Sequence, residues 1–285
     1  QLAEITQIVL VHTLRLGDGM EEAFDAVIVA NGHQAKPIHL AFAKDFTGDY
    51  FHAFDYRVPE PFEGKTVLVI GTGNSGLDIA ADVSNVARLT VLAARSPVLI
   101  MPRMFLGAPL SRFLARVERP WVPWSVRRRV RELVTWLVHG SMESWGLTTP
   151  TSQTHPASHP TIFARMAWGR VLAKPGIRSV EGNRAHFTDA SAQEFDAMIA
   201  ATGYEVDFDF LSKAVTPLND HRINLYKQII HPEHQDDGYP IQMACRLYCQ
   251  RNRPAGKTRD DRGIQDRATA AGPEISRHAA LFLGT

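Results

Sequence analysis

Gly71, Gly73 and Gly76 stand at the spacing Gly-x-Gly-x-x-Gly, with Thr72, Asn74 and Ser75 between them. Glycines so placed can merely join a strand to a helix, but in this context they suit bringing a backbone against the diphosphate of a dinucleotide. The first permits a tight turn, and the second removes a Cβ from the path of the phosphates. The third lets a following helix lie close on the preceding strand. The N-terminus of that helix then offers unpaired N–H groups and a partial positive charge to the anion. Some 20 residues further on, a site for NAD would place Asp or Glu against the ribose 2′-hydroxyl. Here Arg95-Ser96 occupies that place. A guanidinium can grip a 2′-phosphate through two bonds, so the pair favours NADPH over NADH.

These residues need a strand, a turn, a helix and a second strand to position them, and the flanking sequence supplies the pattern. Val67-Leu68-Val69-Ile70 is a β-branched and aliphatic run bounded by Lys65 and Gly71. Leu77, Ile79, Ala80, Ala81 and Val83 give a helical apolar face. Leu89 to Ala94 reads as the next parallel strand. Residues 65–96 therefore predict a βαβ unit, and the chain as a whole predicts an α/β fold.

Ile5 to Leu14 has a strand pattern, Gly17-Asp18-Gly19 a turn signal, and Phe24 to Ala30 the pattern of a buried strand ending at Asn31-Gly32. Residues 33–64 read as a connection punctuated by proline and glycine. Arg112–Val117 and Val126–Val138 read as amphipathic helices separated by Pro120 and Pro123, and residues 148–160 as a polar, proline-rich loop. Residues 177–187 suggest a hairpin or meander. Glu194 to Gly203 echoes the earlier strand: Phe-Asp-Ala, an apolar run, then a small-residue stop with glycine. The echo brackets the βαβ unit, as if a nucleotide domain were entered after one strand and left after the other.

Composition excludes several classes. The 285 residues carry 31 Lys+Arg against 30 Asp+Glu, a net charge of +1 that gives no reason to expect a nucleic-acid partner. No apolar run approaches the ~18 residues of a membrane span, so stable membrane insertion is not expected. The two cysteines, Cys245 and Cys249, imply no disulfide framework and fit a reducing, cytoplasmic setting. Their Cys-x-x-x-Cys spacing also departs from the Cys-x-x-Cys of a redox pair. His155, His159, His231 and His234 do not have metal-site spacing, because Pro156 and Pro160 prevent a regular helix between the first two; no metal is expected. The arginines at 127–129 and 131, beside Trp121, Trp124 and Trp136, read as an ordinary helix that packs its apolar residues on the fold while arginines snorkel.

Beyond the fingerprint, Phe46-Thr47-Gly48-Asp49-Tyr50-Phe51-His52-Ala53-Phe54-Asp55-Tyr56 fits the pattern Phe-x-Gly-x-x-x-His-x-x-x-Tyr at every fixed position. With Gly-x-Gly-Asn-Ser-Gly-x-Asp-Ile-Ala and Ala201-Thr202-Gly203-Tyr204 in order after it, roughly residues 24–234 resemble the class B flavin monooxygenases. The resemblance implies a Rossmann-like NADPH domain inserted in a flavin domain. The division would be 1–32 as part of the FAD domain, 33–64 as connection and 65–190 as the NADPH domain with a helical insertion. Residues 191–234 would return to the FAD domain, and 235–285 form an atypical tail, with disorder expected over 240–277.

It also implies that NADPH reduces FAD, that the flavin captures O2 as a C4a-hydroperoxide, and that a soft nitrogen or sulfur of a small-molecule substrate is oxygenated, less readily a ketone. Tyr56 rather than Trp favours nitrogen or sulfur. Gly71, Thr72, Gly73, Asn74, Ser75 and Gly76 would hold the diphosphate, and Arg95 and Ser96 the 2′-phosphate. His52 would help position NADPH, and Asn31, Thr202 and Gly203 complete the cofactor-binding set. No side chain reads as a catalytic acid, base or nucleophile. The family's earlier glycine fingerprint for FAD is not among the 70 residues before Gly71, so this chain alone is expected to bind FAD poorly. A flavin-dependent NADPH reductase or oxidase, or a non-catalytic NADP-binding remnant, is the alternative, and a homo-oligomer is compatible with either.

Overall fold

In the computed structural model, residues 36–205 are described except 120 and 153–155. Outside that range the description covers Met20, Gln34 and the backbone of the strands Leu2–Ile8, Val11–Leu16, Glu21–Phe24, Ala26–Ala30, Leu218–Asn219, Arg222–Ile223, Ile241–Met243 and Ala279–Leu283. The chain forms two units. One is continuous, Pro37–Gly203; the other joins Gln1–Lys36 to Tyr204–Thr285.

The continuous unit runs β1 (Asp49–His52), β2 (Thr66–Ile70), α1 (Asn74–Val83), β3 (Leu89–Ala94), α2 (Leu110–Leu114), α3 (Trp124–His139), α4 (Ile162–Ala167), β4 (Val171–Pro175), β5 (Ile177–Glu181), β6 (Arg184–Phe187), β7 (Ala192–Glu194) and β8 (Ala197–Ala200). Five strands form one all-parallel sheet in the order β4-β3-β2-β8-β1. Val67 of β2 lies opposite Thr90 on one side and Ala197 on the other. β5, β6 and β7 form a separate antiparallel meander.

Both faces of the parallel sheet are covered, which is why its strands read as unbroken apolar runs. Val67, Val69, Leu92 and Ile199 pack with Leu77, Ala80 and Val83 of α1 and Phe163 of α4. Leu68, Ile70, Val91 and Met198 pack with Val180, Ala185 and Phe187 of the meander. Every residue of β2 and β8 is buried. The strand order reverses between β2 and β8, so the carboxyl ends of these two strands mark the switch point where such sheets bind ligands.

Three expectations change. The stretch 33–64, read as connection, supplies β1, the edge strand beside β8. The first insertion helix is Leu110–Leu114 rather than 112–117, and the second begins at Trp124, directly after Pro123. The packing expected of that second helix is found only in part: Val134 is buried in the core and Val130 packs against it, while Thr135 is the only other buried residue of α3. Val126, Leu133, Trp136 and Leu137 face outward instead, because the helix meets the rest of its unit along a narrow strip. Two of its arginines are held by local partners: Arg128 pairs with Glu132 at 2.7 Å and Arg131 with Glu118, the latter arginine also lying over the Trp124 ring.

In the other unit Leu2–Ile8, Val11–Leu16 and Glu21–Phe24 form an antiparallel sheet. Ala26–Ala30 is flanked in parallel by Ile241–Met243 and Ala279–Leu283. Ile241–Met243 is thus strand inside the stretch where disorder was expected. Residues 244–277 lie outside the described residues, as do Asn31, Cys245, Cys249, His155, His231, His234 and the turn at 17–19.

Candidate functional site

The turn between β2 and α1 follows from its glycines. Gly71 has φ +114, a conformation closed to most side chains, and a Cβ there would stand 2.4 Å from the Ala201 carbonyl oxygen at the end of β8. Gly76 packs against Gly71 itself, its absent Cβ at 2.0 Å from the Gly71 oxygen. Gly73 differs. Its φ of −70 is open to any residue, and a Cβ there would meet no atom of the described residues within 4 Å, its chain neighbours apart. Two of the glycines are required by the fold; the third leaves room that the protein does not fill. α1 begins directly after Gly73 with no side-chain cap, its first bond running from the Leu77 amide to the Gly73 oxygen. The Asn74, Ser75 and Gly76 amides therefore have no partner inside the helix.

A cleft of ≈ 440 Å³ opens at the carboxyl ends of β2, β3 and β8. Gly71, Thr72, Arg95, Ser96 and Thr202 line it together, with Ile38, Leu40 and Phe42 as an apolar wall. Arg95 is exposed, and among the described residues no acid pairs with it. Gly176 lies beneath it: a Cβ on Gly176 would come 3.3 Å from the Arg95 Cγ, so the missing side chain gives the arginine stem its bed. A larger depression of ≈ 550 Å³ at the opposite end of the strands, beside Thr66 and Arg88, contains none of the expected residues.

The remaining candidates are placed less directly. The Asn74 side chain is engaged elsewhere, its Oδ1 accepting the Ser158 amide at 3.1 Å. Ser75 borders a groove on the outer side of α1 rather than the cleft. The Thr202 hydroxyl donates to the Ile38 carbonyl at 2.5 Å, and the Gly203 carbonyl accepts the Ile38 amide. Both therefore anchor the cleft wall. His52 is 1% exposed at the end of β1, its Nδ1 accepting the Phe54 amide at 3.0 Å. Burial, then the neighbouring His39, holds its pKa below the usual imidazole value, so it is neutral.

The other fixed positions of the 46–56 pattern also hold the unit together. Phe46 is buried under the meander. Gly48 lets the chain pass the Asp196 carbonyl, which a Cβ would meet at 2.6 Å. The Tyr56 hydroxyl donates to Asp82 on α1 at 2.7 Å, and its ring stacks on Phe62. Burial, then that carboxylate, pushes its pKa far up, so it is un-ionised.

Sequence reasoning missed Gly176 and the 38–42 wall. The glycine directly after an apolar strand at Pro175 was a signal for the first; the wall has none. Among the described residues no cluster of His, Cys, Asp and Glu could hold a metal, and no helix is long and apolar enough to cross a membrane.

A parallel sheet whose strand turns through three spaced glycines into a helix, with a cleft over the carboxyl ends, defines a Rossmann-type α/β domain. Comparison with known proteins narrows this. Residues 6–242 match the model of the flavin-binding monooxygenase-like family, and the chain belongs to that family. It is 32% identical over 243 residues to flavin-containing monooxygenase 1 of Rattus norvegicus and 33% identical over 242 residues to that of Oryctolagus cuniculus. Each match covers 79% of this chain and 44% of the relative, so the chain spans less than half the length of these relatives. Among solved structures it resembles a flavin-containing monooxygenase from Stenotrophomonas maltophilia, with TM-score 0.56, 19% identity and coverage of 80% of this chain and 57% of that one. A cyclohexanone monooxygenase from a Rhodococcus species, bound to NADP+, gives TM-score 0.55 at 13% identity, covering 71% and 52%.

Proposed function

We propose that this chain carries the NADPH-binding domain of an FAD-dependent monooxygenase that uses O2 to oxygenate a soft nitrogen or sulfur of a small molecule. The observation that carries the reading is Gly73. It is a glycine with an unconstrained backbone and, among the described residues, no packing neighbour, set between two glycines that the fold requires and directly before the free amides of α1. A diphosphate fits that space, and Arg95, in the cleft that the adjoining Gly71 and Thr72 line, suits a 2′-phosphate. Gly71, Gly73 and the 74–76 amides would hold the diphosphate, Arg95 and Ser96 the phosphorylated ribose, and Ile38, Leu40 and Phe42 would shield one wall from water. When bound, NADPH supplies hydride, and flavin supplies oxygen activation. The division 37–203 and 1–36 with 204–285 supports assigning the second unit to the flavin domain.

Arg95→Glu places a carboxylate where NAD sites carry one. NADP+ affinity is expected to fall about 100-fold and NAD+ affinity to hold or rise, since a charge-assisted pair becomes a like-charge contact. Equal loss for both nucleotides, or none, contradicts the 2′-phosphate assignment. For the activity, the chain is supplied with FAD, NADPH, O2 and a tertiary amine or thioether. An N-oxide or sulfoxide supports the proposal; hydrogen peroxide alone supports a reductase or oxidase; NADP+ binding with no turnover supports a non-catalytic domain.

A further inference from the structure

His159 lies outside the cleft, on the far side of α1, and is 6% exposed. Its Nδ1 accepts two amides that open α4, from Ile162 at 3.0 Å and Thr161 at 3.2 Å. Two donors aimed at one nitrogen fix the tautomer, so the ring proton sits on Nε2. Nε2 donates to Asp78 Oδ1 at 3.2 Å. The preceding residue, Ser158, donates its amide to Asn74 Oδ1 at 3.1 Å, and Ala157–Ser158 is itself paired in parallel with Ile100–Met101. Residues 158 and 159 therefore grip positions 74 and 78, which stand one above the other on the first turns of α1. Those turns carry the amides at 74, 75 and 76.

We propose that His159, as a neutral imidazole, is a positioning residue for the dinucleotide: together with Ser158 it clamps the first turn of α1 so that its free amides stay aimed at the diphosphate. This rests on the reading of the cleft as an NADP(H) site. A protonated ring cannot do the same work, because an Nδ1–H would face two N–H donors. Asp78 on α1 favours the cation. Arg103, in the turn after Ile100–Met101, opposes it, and Arg165 on α4 borders the same groove. Burial is the largest influence, and together these hold the ring below the ordinary 6.5. The clamp is thus intact above that lowered value and is lost as pH falls through it.

The test is calorimetric titration of the full chain with NADP+ from about pH 7.5 to about pH 5, on the unaltered protein and on His159→Asn. The carboxamide oxygen of asparagine can accept the same two amides, as in an Asx turn, and does not titrate. The 2′-phosphate and every other histidine titrate alike in both proteins, so the difference between the two profiles belongs to residue 159. The unaltered chain is expected to lose affinity in acid about tenfold more than His159→Asn, which binds within about threefold of it at neutral pH. His159→Ala, measured well below its own melting midpoint, is expected to bind NADP+ about tenfold more weakly, which His159→Asn largely restores. Parallel acid profiles, or a folded His159→Ala chain with unaltered affinity, overturn the inference alone. No heat with NADP+ from the unaltered chain at any pH overturns the nucleotide reading, and the inference with it.

Discussion

Gly73→Val is expected to leave this chain folded and to remove most of its affinity for NADP+. The residue has φ −70 and ψ 174, extended backbone that valine adopts readily. Among the described residues, its chain neighbours apart, nothing lies within 4 Å of the new Cβ. The cost to folding is confined to replacing glycine at a helix N-cap by a poorer residue, about 1 kcal/mol. The cost to binding is larger. The added carbons stand where a diphosphate must come to reach the Asn74, Ser75 and Gly76 amides, and charge-assisted bonds to those amides weaken steeply when the anion is held off. A loss of about 100-fold, or about 3 kcal/mol, follows from giving up two such bonds. The two effects are read separately: titration with NADP+ gives the affinity, and thermal unfolding followed by circular dichroism gives the stability. A variant that melts like its parent and binds NADP+ equally well places the nucleotide somewhere other than over α1.

That separation explains what could be read from the residues. β2, α1 and β3 were legible because burial on both faces writes an apolar run into each strand, and a glycine turn joins β2 to α1. β8 was legible for the same reason. β1 was not: Asp49-Tyr50-Phe51-His52 is a four-residue edge strand, buried only at its last residue, and its pairing with β8 joins residues nearly 150 positions apart. No local periodicity encodes such a pairing. α3 had a legible helical period, but a period does not say how wide a strip the body of the protein will cover, and only Val130 and Val134 pack on the core there.

The cleft divides in the same way. Arg95 is found from spacing along the chain, whereas Gly176 acts through Arg95 and His159 through Asp78, each 81 positions away in sequence. The 46–56 pattern is recognisable from residue types alone. Its physical content, an edge strand held to the rest of the unit by the close approach at Gly48, the pairing of His52 with Ala200 and the Tyr56 bond to α1, appears only in three dimensions.

Gly76→Ala is expected to destabilise the domain, although alanine is the better helix former. Two opposing terms decide the sign. Replacing glycine inside a helix by alanine favours folding by about 1 kcal/mol. Against this, the new Cβ stands 2.0 Å from the Gly71 oxygen and 2.9 Å from its carbonyl carbon. These are backbone atoms, so no rotamer change relieves the contact. Gly71 cannot retreat either, because its own face lies against the Ala201 carbonyl of the neighbouring strand. The relief left is for α1 to lift off β2, which loosens Leu77 and Ala80 from Val67 and Val69. Overpacking of this kind costs about 3 kcal/mol, the upper end of its usual range. The net loss of about 2 kcal/mol lowers the melting midpoint of a domain this size by about 4–8 °C.

Gly169→Ala is the control, since that glycine has φ +69 and nothing within 4 Å of its Cβ position; it carries backbone strain without a clash, at a cost of about 1 kcal/mol. A Gly76→Ala chain that melts at or above the parent's midpoint shows that α1 does not lie this close to β2. The spacing of the fingerprint would then have to be explained by the ligand at all three glycines rather than at Gly73 alone.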